Sequence, residues 1–185
     1  METQPVYRRV LVKLSGEALG GTDGIFDNAR LEEICAQLKR VADLGTEVAV
    51  VIGAGNIWRG ARQAGLHIDR VRGDHMGMLA TVINSLAVQD YLLKAGLETE
   101  VLSAIPMAQV CGVYDQYKAD ALLRAGKAVI IACGVGYPYF STDTGMVLRA
   151  AELKADAVLS AKAVDYVYDK DPKKYPDAKR YEALT

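Results

Sequence analysis

Cysteine and histidine are scarce in this chain. Its 185 residues hold three cysteines (Cys35, Cys111 and Cys133) and two histidines (His67 and His75). An odd number of widely spaced cysteines offers neither a disulfide framework nor a zinc cage. Two isolated imidazoles leave no His/Cys cluster, no Ser-His pair and no thiol flanked by a base. An excess of one charge is also absent: 22 Lys and Arg stand against 23 Asp and Glu, a formal net charge of −1. That balance argues against a nucleic-acid partner and against an acidic tail. No apolar run approaches the ~20 residues of a membrane span, and residues 1–7 lack the apolar core of a signal peptide. These absences predict a protein of a reducing compartment, the cytoplasm, with no membrane partner. Apolar residues make up 51% of the chain, enough for one real core, and the length predicts a single domain over 1–185.

What is present centres on residues 47–60. The run 47–52 (Glu-Val-Ala-Val-Val-Ile) is almost wholly apolar and β-branched or small. A strand buried on both faces of a parallel sheet reads this way. Gly53-Ala54-Gly55-Asn56 follows, with side chains too small to keep a ligand from the backbone, and Arg59 lies close behind. Backbone N–H groups at such a strand end suit phosphate, with the arginine as a bidentate donor. The stretch fits a tight turn with an incidental arginine equally well.

The rest of the chain alternates strands with helices. Residues 8–14 read as a strand, followed by Ser15-Gly16-Glu17 and a loose segment bearing Gly20, Gly21 and Gly24. Leu31, Ile34, Cys35, Leu38, Val41 and Ala42 keep helical spacing over 28–44, with Asp27 or Asn28 as cap and Gly45 as stop. Residues 61–73 are polar, carry Arg62, Arg70 and Arg72, and predict an irregular excursion. Asp74 then caps a helix to Lys94, with Met76, Leu79, Ala80, Ile83, Leu86 and Ala87 inward. Strands follow at 98–103, 127–133 and 156–161. Between them lie helices from Asp115 to Gly126 and over 144–154, and a polar loop over 162–171 closes at Pro172.

This alternation predicts an α/β fold, a three-layer α/β/α sandwich around a mainly parallel sheet. Ligands bind such sheets outside the carboxyl ends of the strands. The segments 13–16, 53–59, 134–143 and 162–171 all follow strands, so one composite site built from distant loops is expected. Cations and carboxylates without a nucleophile suit phosphoryl transfer, which is mostly positioning and charge stabilisation. Neither common nucleotide motif is met. The only Gly-Lys pair, Gly126-Lys127, precedes Ala128, which excludes a P-loop; Gly53 and Gly55 are followed by Trp58 where the dinucleotide fingerprint needs glycine.

Several blocks resemble the bacterial uridylate kinases, a family of the amino-acid kinase superfold. They are Val12-Lys13-Leu14-Ser15-Gly16-Glu17, then Gly53-Ala54-Gly55-Asn56 with Arg59-Gly60, then Gly73-Asp74-His75-Met76-Gly77-Met78-Leu79-Ala80-Thr81. Pro138-Tyr139-Phe140-Ser141-Thr142-Asp143-Thr144, Val164-Asp165 and Asp171-Pro172 complete the set. The resemblance implies transfer of the γ-phosphate of ATP to UMP. It further implies a magnesium ion bound mainly through ATP, a homohexamer, GTP activation and UTP inhibition. It also assigns roles. Lys13 stabilises charge on the transferring group, Asp143 orients Lys13 or the magnesium-bound phosphates, and Arg59 pairs with phosphate oxygens. Leu14, Ser15, Gly16 and Gly55 face the ATP phosphates, while Lys162, Tyr168 and Asp171 fall at its adenine and ribose. For UMP, the backbone of Ala54 takes a phosphate and Asp74 accepts from the ribose hydroxyls. Val135, Gly136, Tyr137, Pro138, Tyr139, Phe140, Ser141 and Thr142 hold the uracil and α-phosphate.

Each of these residues also has a plainer reading. Lys13 can snorkel from a buried strand, Asp74 and Asp143 can be helix caps, the arginines of 59–72 can be a solvated face, and Tyr166 and Tyr168 can simply pack. The chain departs from the family at Val135 and Tyr137, where Thr and Asn are usual, and at Ala54, where Gly is. Family members also continue beyond the counterpart of Thr185, so the resemblance implies a domain lacking its C-terminal helix and last strands. Two other functions fit the residues: a kinase of a carboxylate or carbamate on the same fold, and a non-catalytic nucleotide- or oxyanion-binding protein.

Overall fold

A computed structural model describes residues 5–21, 24–60, 67–161, 166–170, 172 and 174–183. The apolar runs form strands β1 (Arg9–Leu14), β2 (Glu47–Ile52), β3 (Thr99–Ser103) and β5 (Ala128–Ala132), and these are almost entirely buried. With the short β4 (Gly112–Val113) and the edge strand β6 (Ala157–Ala161) they make one six-stranded sheet, ordered β4-β3-β5-β2-β1-β6. Every pairing in it is parallel.

Alternation along the strands sends their residues to two cores. Val10, Val12 and Leu14 face helices α1 (Asn28–Asp43) and α2 (Arg70–Lys94), together with Val48, Val50, Ile52 and Ile130. Leu11, Ala49, Val51, Val129 and Ile131 face α3 (Gln116–Arg124) and α4 (Thr142–Glu152) on the other side. The result is the expected α/β/α sandwich. At the edge where the strands begin, buried Arg9 is held by Glu47, by Asp120 at 2.8 Å and by the Leu153 carbonyl at 2.5 Å.

Three expectations are corrected. First, α2 begins at Arg70, not after Asp74, because Asp69 is the cap and accepts the Arg72 N–H; residues 70–73 are therefore helical. Residues 61–66 lie outside the described residues. Second, the inward face of α2 differs from the apolar pattern. Met76, Leu79 and Ile83 are exposed, whereas Thr81, Asn84 and Ser85 are buried. The buried polar groups are satisfied internally: the Thr81 hydroxyl donates to Met78 O, that of Ser85 to Thr81 O, and the Asn84 amide to Gly53 O. By length and composition α2 could also cross a membrane, yet here it packs on the sheet. Third, Asp143 is not the cap of α4. Ser141 is, accepting the Thr144 N–H, and Asp143 lies in the first turn. Three features went unforeseen: a 3₁₀ turn at Gly16–Leu19, the short strand β4, and a small antiparallel hairpin, β7 (Val167–Tyr168) with β8 (Arg180–Tyr181), inside and beyond the expected polar loop.

Candidate active site

The register Leu14↔Ile52 and Leu14↔Ala161 aligns the carboxyl ends of β1, β2 and β6, and Val51↔Ile131 adds β5. The loops after these strands therefore meet at one edge. Lys13 is the next-to-last residue of β1 and shares the face of Leu11, the face covered by α4. Its side chain is largely buried, and Nζ lies 3.2 Å from Oδ1 of Asp143 in the first turn of α4.

The two glycine loops interlock. Gly53 N–H donates to Leu14 O at 2.9 Å. A Cβ on Gly16 would stand 2.5 Å from Gly53 O, 2.6 Å from Asn56 Oδ1 and 2.7 Å from Gly55 N, so only glycine fits. Asn56 and Asn84 exchange amide hydrogen bonds at 3.0 and 2.8 Å, and Asn56 also donates to Ile25 O. This ties the loop to α2 and to the segment before α1. Ala54 is not among the residues of positive φ, so its methyl brings no strain. Arg59 folds back over the loop, donating to Gly55 O at 3.1 Å and pairing with Glu17 at 3.2 Å. Trp58 lies against Gly73 and Gly77 of α2, where a Cβ on Gly77 would meet its ring at 3.3 Å.

The third wall is the loop 133–141. It turns sharply, with positive φ at Gly134, Gly136, Cys133 (63°) and Tyr139 (70°). Cys133 N–H donates to the Thr81 hydroxyl at 2.9 Å, and Arg149 donates to Gly134 O at 3.0 and 3.3 Å. Burial pushes the Cys133 thiol up from its ordinary range. Asp74, in the second turn of α2, accepts Arg70 Nε at 3.0 and 2.9 Å and Tyr139 N–H at 2.7 Å. Partial burial opposes its charge, but the bonds from Arg70 and Tyr139 outweigh that and hold the carboxyl below its usual range.

A cleft of about 560 Å³ opens between these walls. Ala54, Arg59, Asp74, Val135, Tyr137, Tyr139, Phe140, Ser141 and Thr142 line it. Gly136 and Pro138 shape the same loop without lining the cleft. Leu14, Ser15, Gly16, Gly55, Lys13 and Asp143 lie along the strand-end edge outside that lining. Tyr168 sits in the β7–β8 hairpin opposite Arg180 and is not among the residues lining the cleft. Lys162, Asp165 and Asp171 lie outside the described residues.

The amino acid kinase family profile matches residues 8–185. The chain is 50% identical to the uridylate kinase of Brucella anthropi over 186 residues, covering 100% of this chain and 78% of that protein. It is 47% identical to the uridylate kinase of Haemophilus influenzae, over 99% of this chain and 78% of that one. The crystal structure of UMP kinase from Bacillus anthracis superposes with a TM-score of 0.88 at 43% identity, covering 95% of this chain and 73% of that one. That of the Ureaplasma parvum UMP kinase also gives 0.88, at 36% identity, with 95% and 75% covered. The chain belongs to the amino acid kinase family, among its uridylate kinases.

Within that family frame, four residues of the site were not foreseen from sequence. In the sequence Glu17 carries no role within its motif, and Arg70 reads only as part of a basic loop. Trp58 stands in the sequence only as the residue that breaks a glycine fingerprint. Arg149 is 6% exposed and braces the loop 133–141 while lying 4.1 Å over the Tyr114 ring. Its signal was present: it stands four residues after Gly145, and both lie on the inward face of a short helix.

Proposed function

We propose that this chain transfers the γ-phosphoryl group of ATP to UMP, giving UDP and ADP. The carrying observation is Asp74: a charged acceptor lines the same cleft as the glycine loop and Arg59, on the edge where Lys13 ends β1. Ribose hydroxyls are donors that suit such a carboxylate. Backbone N–H groups of the 53–56 loop and the Arg59 guanidinium suit the phosphates. Lys13, preorganised by Asp143, meets the negative charge that spreads over the transferring group and stabilises it more in the transition state than in the ground state. Arg59 exchanges its Glu17 partner for phosphate oxygens.

Among the described residues no three His, Cys, Asp or Glu converge on a point. A magnesium ion would be carried mainly by the ATP phosphates and water, near the Lys13–Asp143 pair at 3.2 Å. When bound, the ion neutralises phosphate charge. Family likeness further supports one domain over 1–185, a cytoplasmic location, GTP activation, UTP inhibition and a homohexamer. The exposed Met76, Leu79 and Ile83 on α2 form an apolar stripe suited to a neighbouring subunit.

ADP release measured with UMP, CMP, carbamate and N-acetylglutamate tests the reading. Turnover is expected with UMP and background rates with carbamate and N-acetylglutamate. Turnover with either of those and not with UMP would replace it with a small-acid kinase, and ATP binding without turnover of any acceptor would make the chain a binding protein.

A further inference from the structure

Arg70 is the first residue of α2, and its place there is electrostatically poor. A cation at a helix N-terminus opposes the helix dipole, and a basic residue four places before an acidic one is the weaker order of an i,i+4 pair. Helix stability therefore does not account for the pair it makes with Asp74. Its contacts point elsewhere. Arg70 Nε bridges both Asp74 oxygens, at 3.0 and 2.9 Å, and its guanidinium carbon lies 5.5 Å from the Tyr139 ring centroid. Tyr139, with φ of 70°, returns to the same carboxylate by donating its N–H at 2.7 Å. Arg70, Asp74 and Tyr139 thus close a ring between the start of α2 and the loop 133–141, and all three line the cleft. A carboxylate offers about four acceptor positions, of which these bonds take three and leave about one.

We propose that Arg70 is a positioning residue for acceptor recognition: it fixes the Asp74 carboxylate so that its one remaining acceptor position faces the cleft and selects a single ribose hydroxyl of a nucleoside monophosphate. The inference rests on the UMP reading above and deepens it. Arg70 itself touches no reacting atom. Without it, the Asp74 side chain rotates, and the loop loses the tie to α2 that runs through the Tyr139 N–H.

Binding of UMP, 2′-deoxy-UMP and 3′-deoxy-UMP, measured by calorimetry and by the fluorescence of Trp58, the sole tryptophan and a cleft residue, tests this without requiring turnover. The unaltered chain is expected to bind one of the two deoxy analogues about 10- to 100-fold more weakly than UMP, as loss of a hydrogen bond to a charged group implies. Arg70→Ala should shrink that ratio to within about threefold by weakening UMP alone, well short of the penalty for such a bond. Arg70→Lys should restore part of it, and ATP affinity and Tm should hold in both variants. A ratio unchanged in Arg70→Ala, or no discrimination by the unaltered chain that binds UMP, would overturn the inference while the kinase reading stands. Failure of the unaltered chain to bind UMP would bring down the acceptor reading, and the role of Arg70 with it.

Discussion

Gly16 is the residue at which the first strand-end loop presses on the second. Its hydrogen occupies a space where a methyl would stand 2.5 Å from Gly53 O. Backbone atoms cannot yield as a flexible side chain does, so Gly16→Ala should lower stability by about 1–3 kcal/mol, as overpacking does. Gly24→Ala is the control, because its nearest neighbour would lie at 3.5 Å; it should stay within about 0.5 kcal/mol. Equal melting curves for the two variants would mean that the loops do not interlock as described. Residues of this kind were legible as glycines of strand-end loops, but their reason was not, since the neighbours that exclude a side chain come from 37 or more positions away (Gly16 to Gly53). Asp74 shows the same gap. Its place beside the glycine loops was foreseen, whereas its partners, Arg70 across one helical turn and the Tyr139 N–H, depend on where α2 starts and how the loop 133–141 turns back.

Among the elements, α1 and α3 came out of the sequence nearly intact because each carries an Asp cap, a clear apolar face and a glycine stop. The long α2 did not. Its apolar residues run around the helix, and the inward face is chosen by groups that hydrogen-bond in the core, Thr81, Asn84 and Ser85, which a pattern of apolar spacing assigns to the outside. Where α1 meets α2, buried Cys35 points its thiol at Val88 O, 3.8 Å away. Burial raises that thiol from its ordinary 9.0 to about 11. An unfolded chain ionises it first, so the stability it contributes is complete below pH 9.0 and is lost as pH rises toward about 11. Denaturant midpoints followed from about pH 9 to about pH 10.5 should therefore fall, with this thiol accounting for up to about 1.4 kcal/mol per pH unit. A Cys35→Ala variant should be less stable at every pH but flatter across that range. Parallel slopes would show that the folded thiol ionises freely.

At the scale of the whole molecule, parallel strands with helices on both faces could be read from alternation alone, and with them the single edge at which distant loops gather. The strand order could not. It depends on β5 inserting between β3 and β2, and on β6 pairing with β1 instead of extending the other side, choices made by packing between residues far apart in the chain. The short strands β4, β7 and β8 were also hidden, because two residues carry no period. The order matters to function because it sets β1, with Lys13, between β2 and β6, so that the 53–56 loop lies on one flank of the lysine and the carboxyl end of β6 on the other. That arrangement makes Lys13 the centre of the proposed chemistry. The most direct test is Lys13→Met, which keeps the aliphatic stem in its largely buried place and removes the charge. Rapid-mixing measurement of UDP formation, beside calorimetric ATP and UMP binding, should show kcat reduced by roughly 10²–10³-fold with nucleotide affinities little changed, as loss of one preorganised charged donor implies. A folded Lys13→Met chain whose kcat stays within about threefold of the unaltered one, far short of that loss, would show Lys13 to be a strand residue reaching for solvent and would contradict the account.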